Sequence, residues 1–326
     1  MIKIAYRLEH APKIIASIAR ATRLVVENDF IKPNNGLAHG LVLGKQLSHN
    51  LSLYAGSVHL KEKYLVSRVG ANDKNLLALD FILTSSAILR NHDDHSKSRQ
   101  IFGSYFSSST IESEAEYDQN IDARFLTLIF DKSWLFKDIS PQQTNLHTFV
   151  ENNSNFLLFR VLDSDVNREV IDLFQYIFLQ QQQAVPYLYG SSLKILVQFF
   201  SKFSFDAKPR TDIHSEDLKN IIAAKDFLDQ HVDTSVKMEE LLALSAMSQT
   251  KFRNLFKLVF EVSPLAYHKK VKMWEAKGLI EAGESISNAV AAVGYINHSY
   301  FTRAFKQEFG ITPSAYKAEF NSLKKI

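Results

Sequence analysis

The chain has 326 residues, 46% of them hydrophobic and 22% charged, with a net charge of +3 and no cysteine. That length has room for about two domains of ordinary size. The missing cysteine excludes disulfides, thiol nucleophiles and thiolate zinc sites together, and it fits a reducing compartment. No apolar run approaches the roughly 20 residues that a membrane helix needs, so we expect a cytoplasmic protein that does not cross a membrane.

Met1 to Asn28 mixes Lys13, Arg20 and Arg23 with Ile14, Ile15, Ile18, Leu24 and Val25 and reads as an ordinary amphipathic helix. It lacks the apolar core and small-residue cleavage site of a secretory signal. From Leu37 to about Leu135 the pattern is that of short strands: Leu51 to Tyr54, Tyr64 to Val69, Leu76 to Leu83, Ser85 to Arg90 and Ala123 to Phe130. Gly70 to Asp73 and the polar stretch Asn91 to Ser98 separate some of them as turns. Such a series predicts a sandwich or barrel. From Gln142 to Phe205 the periodicity becomes helical, chiefly in Val166 to Gln183 and Tyr189 to Phe203, with the glutamine run Gln180 to Gln183 at a helix end. The fold class is therefore multidomain, with residues 1–206 forming an α+β domain that is β-rich over 37–135 and helical over 142–205. Residues 207–215, polar and aperiodic, form the linker. Residues 216–326 form an all-α domain.

In that last domain the periodicity predicts helices over Glu216 to Val232, Glu239 to Ser245, Gln249 to Phe260 with Ser248 as N-cap, and Pro264 to Glu281 closed by Gly283. Further helices run from Ser287 to Val293 and from Asn297 to Phe309, and Pro313 opens the last one. Two stretches repeat. Phe252, Phe256, Phe260, Pro264 and Tyr267 recur 49 positions on as Phe301, Phe305, Phe309, Pro313 and Tyr316. Before the turn the offset is 48, since Ala246 matches Gly294 and Leu242 matches Val290.

Charge follows the repeat. From Asp217 onward there are 15 Lys and Arg against 12 Asp and Glu, which leaves 23 of each before it. Lys251, Arg253, Lys257, Lys269, Lys270 and Lys272 stand against Glu261 alone within Lys251 to Lys272.

Phenylalanines four apart lie on one helical stripe. A short helix, a tight turn and a second helix buried along such a stripe is the helix-turn-helix arrangement, whose second helix enters the DNA major groove. Two units are expected, at about 239–260 and 287–309. With the phenylalanines inward, Gln249, Thr250, Lys251, Arg253, Asn254 and Lys257 are candidate DNA contacts in the first unit. In the second they are Asn297, His298, Ser299, Thr302, Arg303 and Lys306. Arg can read guanine edges, Asn and Gln adenine, while Ser, Thr and Lys hold phosphates. The joining helix, 18 residues or about 27 Å long, is of the order of the roughly 34 Å between successive major grooves. The scaffold is duplicated but the outward residues differ, which points to an asymmetric site.

Residues Glu216 to Lys324 resemble the DNA-binding domain of the AraC/XylS family of bacterial transcription regulators. The match is densest from Val293 to Tyr316, in Gly294-Tyr295, Tyr300-Phe301, Arg303-Ala304-Phe305-Lys306, Phe309-Gly310 and Thr312-Pro313. The resemblance implies a two-unit reader of double-stranded promoter DNA, an activator that recruits RNA polymerase. It also implies an N-terminal sensing or dimerising domain, cupin-like in some members, so a homodimer and a small-molecule effector enter as expectations. The chain departs from the family pattern at Leu242 and Val290 (commonly alanine), at Ala246 (often glycine) and at Lys317 (often arginine).

His39, His49, His59, His92 and His95 show no ligand spacing with a carboxylate, so we assign no metal and no cofactor. No phosphate-binding glycine loop or nucleophile motif is present, and we expect no enzyme. The rival readings are a cupin-type metalloenzyme with an appended DNA-binding domain and a non-specific architectural DNA-binding protein.

Overall fold

The computed structural model describes all residues except 72, 84–86, 92–96, 101–102, 161–163, 181, 202–214, 261 and 324–326. The chain divides into two compact units, Met1–Phe159 with Glu169–Pro209, and Arg160–Arg168 with Arg210–Ile326. The expected linker lies almost wholly outside the described residues, as does the His92 to His95 stretch.

The first unit is β-rich. Its chain start is not one helix, as the residue mixture suggests, but strand β1 (Ile2–Arg7) followed by helix α1 (Ala11–Thr22). The alternation of Ile2, Ile4 and Tyr6 with exposed residues has period two, which a strand satisfies and a helix does not. Pro12 lacks an N–H and suits only the first turn, so α1 starts there. Ile14, Ile15, Ile18 and Ala19 are buried, and Arg23, at φ 57°, ends the helix.

Strands β2 (Val26–Glu27), β3 (Phe30–Ile31), β4 (Ala38–Ser48), β5 (Leu51–Leu60), β6 (Tyr64–Val69), β7 (Leu76–Ile82), β8 (Ala87–Asn91), β9 (Lys97–Gln100), β10 (Gly103–Ser108), β11 (Ser113–Tyr117) and β12 (Ile121–Asp131) follow. A short helix α2 (Lys132–Trp134) runs into a π-helical turn (Leu135–Ile139), and then come α3 (Thr144–Asn152), β13 (Leu157–Arg160), α4 (Ser164–Phe178) and α5 (Val185–Ser201). One sheet has the order β1-β6-β11-β8-β9, the other β13-β10-β7-β12-β5-β4-β3-β2. Strand β1 pairs parallel with β6, and β4 pairs antiparallel with β5. Gly44 on β4 has a physical reason: a Cβ there would stand 2.6 Å from the Ala11 carbonyl oxygen, so α1 can press onto the sheet only over a glycine.

Strands β4, β10 and β11 carry little strand signal in the sequence, because β4 mixes glycine and lysine into its run and β10 and β11 are rich in Ser and Glu. The expected helix Tyr189 to Phe203 begins earlier, at Val185, with Pro186 in its first turn. Its Phe200 meets Phe106 and Phe130 edge-on, at ring separations of 5.1 and 6.0 Å.

The second unit carries α6 (Ser215–Gln230), α7 (Met238–Ser245), α8 (Gln249–Phe260), α9 (Pro264–Glu281), α10 (Ile286–Ala292), α11 (His298–Phe309) and α12 (Pro313–Leu323). These match the expected helices to within two residues. The duplication is visible as geometry. Phe252 and Phe256 are 5.7 Å apart, Phe256 and Phe260 4.6 Å, and Phe256 and Tyr267 5.8 Å. The counterparts Phe301 to Phe305, Phe305 to Phe309 and Phe305 to Tyr316 are 5.8, 4.5 and 5.9 Å.

The turns differ. The first runs through Ala246 at φ 51°, a left-handed conformation that costs an L-residue but not glycine, while Gly294 takes the equivalent place at φ 68°. Ala246 is exposed, so Ala246→Gly relieves the strain without loss of packing. We expect it to stabilise the second unit by about 0.5–1 kcal/mol in denaturant unfolding. No gain would show that the turn is unstrained.

Candidate nucleic-acid interface

Each second helix begins at a side-chain cap. The Ser248 hydroxyl accepts from the Lys251 amide at 3.4 Å. The Asn297 carboxamide oxygen accepts from Ser299 and Tyr300 amides at 2.8 and 3.1 Å. Asn297, counted among the candidate contacts, therefore has its oxygen committed to starting α11.

With Phe252, Phe256, Phe301 and Phe305 fully buried, the side chains of Gln249, Thr250, Arg253, Asn254 and Lys257 on α8 are exposed. So are His298, Ser299, Arg303 and Lys306 on α11, while Thr302 is half-buried. Lys251 is exposed but ion-paired with Asp217 at 2.8 Å. The basic cluster of the sequence is thus not one surface. Lys272 is buried at 8% exposure, Lys270 faces Glu308 at 3.9 Å, and Lys269 donates to Gln307 at 3.0 Å. Spacing alone could not distinguish these from Arg253 and Lys257, because both faces of α9 carry lysine.

Two residues at the second helix were missed. Ile296, in the turn before α11, is fully exposed, and Tyr300 is 64% exposed with the Arg303 guanidinium 5.6 Å from its ring centre. An exposed aliphatic side chain at the entry of such a helix can contact a thymine methyl group, and an aromatic ring holds a guanidinium in a fixed orientation. An isoleucine inside a turn was the signal available.

Beneath the surface the duplication reaches further than the phenylalanines. On α6, the Lys225 ammonium donates to the Asp229 carboxylate at 2.7 Å, and the Tyr267 hydroxyl donates to the same carboxylate at 2.8 Å. On α9, Lys277 donates to Glu281 at 2.5 Å, and Tyr316 donates to Glu281. Each half of the helical domain thus buries a lysine–carboxylate–tyrosine triad. Burial pushes the Asp229 carboxyl up to about 6, against the pull of Lys225 and of the Tyr267 hydrogen bond.

Helix α9 also ties one half to the other. The Lys272 ammonium donates to the carbonyl of Thr234 at 2.8 Å and to that of Val293 at 2.9 Å, joining the loop after α6 to the turn before α11. His268 bonds the His231 carbonyl at 2.9 Å. Desolvation lowers the pKa of both groups. A charged donor held between two carbonyls, one from each half, resists any change in the angle between them.

In the first unit, His39 and His59 face each other across β4 and β5 with rings 4.8 Å apart, and His59 bonds Asp122 at 2.8 Å. Among the described residues no group of three or more His, Asp or Glu side chains could hold a metal ion, and no helix is long and apolar enough to cross a membrane.

Two short-helix, turn and exposed-helix units joined by a buried connecting helix define a tandem helix-turn-helix protein. Residues 241–319 match the family model described as a helix-turn-helix domain. The C-terminal helices accordingly form a helix-turn-helix domain, which follows a β-rich N-terminal part along the chain. The chain is 26% identical over 99 residues to the probable transcriptional regulator LumQ of Photobacterium leiognathi, covering 30% of this chain and 40% of that one. It is 34% identical over 88 residues to the RCS-specific HTH-type transcriptional activator RclR of Escherichia coli strain K12, covering 26% and 31%. The matches thus span less than half of either relative's length. The structure of ToxT from Vibrio cholerae aligns over 82% of this chain and 98% of that one, at 12% identity and a TM-score of 0.33.

Proposed function

We propose that the chain is a sequence-specific transcription regulator, an activator, that reads adjacent major grooves of double-stranded DNA with α8 and α11. The carrying observation is that one scaffold, built twice with matching phenylalanine spacings, presents two different exposed polar faces. An architectural protein has no need of that difference. The relatives' names as transcriptional regulators and activator support the same reading. RNA polymerase as a partner, a homodimer through residues 1–206, a small-molecule effector and a cytoplasmic location belong to this proposal, and no catalytic step does.

The test is selection of bound fragments from random DNA by the full chain. A regulator prefers its site over random DNA by about 10³-fold or more, whereas equal affinity for all fragments would sink the reading. On the selected site, Arg303→Ala should cost about 1–3 kcal/mol and relax preference at one base position. Lys306→Ala should reduce the log–log salt slope by roughly 0.9 if one phosphate contact is lost. An unchanged slope removes Lys306 from the interface.

A further inference from the structure

The first unit holds a cavity of about 430 Å³ between its two sheets and the end of α1, lined mostly by aliphatic side chains such as Ile18, Leu24 and Val58. This is within the roughly 300–1,000 Å³ typical of small-molecule sites. One part of its wall is polar, where Tyr6, Tyr54, Tyr117, Arg68 and Asp80 meet it.

Arg68 is 6% exposed. Its Nη1 donates to the Ser107 hydroxyl at 2.9 Å and lies 3.8 Å from Asp80, its Nη2 donates to the Ser108 carbonyl at 2.5 Å, and its Nε–H has no partner among the described residues. Asp80 accepts from the Thr127 hydroxyl at 2.7 Å. The hydroxyls of Tyr6, Tyr54 and Tyr117 make no hydrogen bond to a described residue, and burial raises the pKa of all three. Three phenols that open on the cavity can each donate to, or accept from, a ligand oxygen placed there.

We propose that this cavity binds an uncharged amphipathic molecule, a hydrocarbon body carrying a hydroxyl or carbonyl group that meets Tyr6, Tyr54 and Tyr117. Charge decides against the ionic alternatives. Arg68 and Asp80 already neutralise each other, so a carboxylate in the ligand sets two anions on one guanidinium, and an ammonium sets two cations on one carboxylate. Hydrocarbon walls make either imbalance costly. Lys3, the other charged lining residue, is exposed. The inference gives a chemistry to the effector in the reading above and rests on that reading for its regulatory meaning.

The full chain is titrated calorimetrically with decanol, decanoate and decylamine in the absence of DNA. Decanol is expected to bind with a stoichiometry of one, at least tenfold more tightly than either ion. The variant with Tyr6→Phe and Tyr117→Phe keeps the rings and should weaken decanol binding about tenfold, the equivalent of two ordinary hydrogen bonds. Asp80→Asn leaves Arg68 without a counter-charge and should turn the preference to decanoate; a folded Tyr6→Phe, Tyr117→Phe protein carries the test should Asp80→Asn unfold. Decanoate binding as tightly as decanol to the unmodified chain, through Lys3 or otherwise, overturns the assignment, and so does no decanol binding. With DNA absent, neither result depends on whether α8 and α11 read DNA.

Discussion

Lys225→Met should destabilise the second unit by about 3–5 kcal/mol, because it leaves the Asp229 carboxylate buried without its counter-charge. The pair is 2.7 Å apart with side chains 4% and 0% exposed, so solvent cannot screen the loss. The sign with pH follows from Asp229. Its folded pKa is already raised to about 6 by burial, and removing Lys225 raises it further. Stability from a raised carboxyl is fully present below its unfolded value, about 3.9, and is lost as pH rises through the folded one. The damage should therefore be smaller at pH 4–5, where Asp229 takes a proton, and greatest above about pH 7. Denaturant titration read by Trp274 fluorescence in a Trp134→Phe background checks this. An equal loss at both pH values would show that packing, not charge, holds the site. Adding Asp229→Leu to Lys225→Met should recover most of the stability, since a buried pair replaced by apolar residues is often neutral.

Gly294→Ala should cost about 2–5 kcal/mol, combining left-handed strain with a forced contact. The residue sits at φ 68°, and a Cβ would stand 2.0 Å from the Asp233 carbonyl oxygen. Backbone lies on both sides of that contact, and Lys272 pins the same two segments through Thr234 and Val293. The strain can be relieved only by moving the second turn away from the first half. Binding to a DNA site with both half-sites should then fall more than binding to the half-site of α8. A loss of stability under about 1 kcal/mol would mean that the turn does not press on Asp233. The opposite sign expected for Ala246→Gly makes a paired control, because the two positions are equivalent in the repeat.

The C-terminal domain was legible because each of its signals is local. Phenylalanines four apart, proline at a first turn, and Ser248 or Asn297 ahead of a helix set dihedrals and exposure within a few residues. The basic cluster misled for the opposite reason. Whether Lys257 faces solvent or Lys272 faces two carbonyls depends on which side of a helix meets a neighbour 38 residues away. The triads were equally hidden. Lys225 with Asp229 and Lys277 with Glu281 look like ordinary surface pairs four apart, and only the arrival of Tyr267 and Tyr316 marks them as core.

In the N-terminal unit the balance was reversed. Short runs rich in β-formers over Tyr64 to Val69 and Ala123 to Phe130 announced strands, but strand order is a matter of long-range pairing, and β1 joins β6 across more than sixty residues of chain. No single segment records that Tyr6, Tyr54, Arg68, Asp80 and Tyr117 line one cavity. The sequence by itself determined the duplicated helical scaffold and its exposed polar faces, because helix periodicity and capping are written in neighbouring residues. The tertiary structure alone decided how the two halves are clamped and what the two sheets enclose, because a carbonyl, a phenol or a guanidinium acquires its role from groups that sequence distance does not bring near.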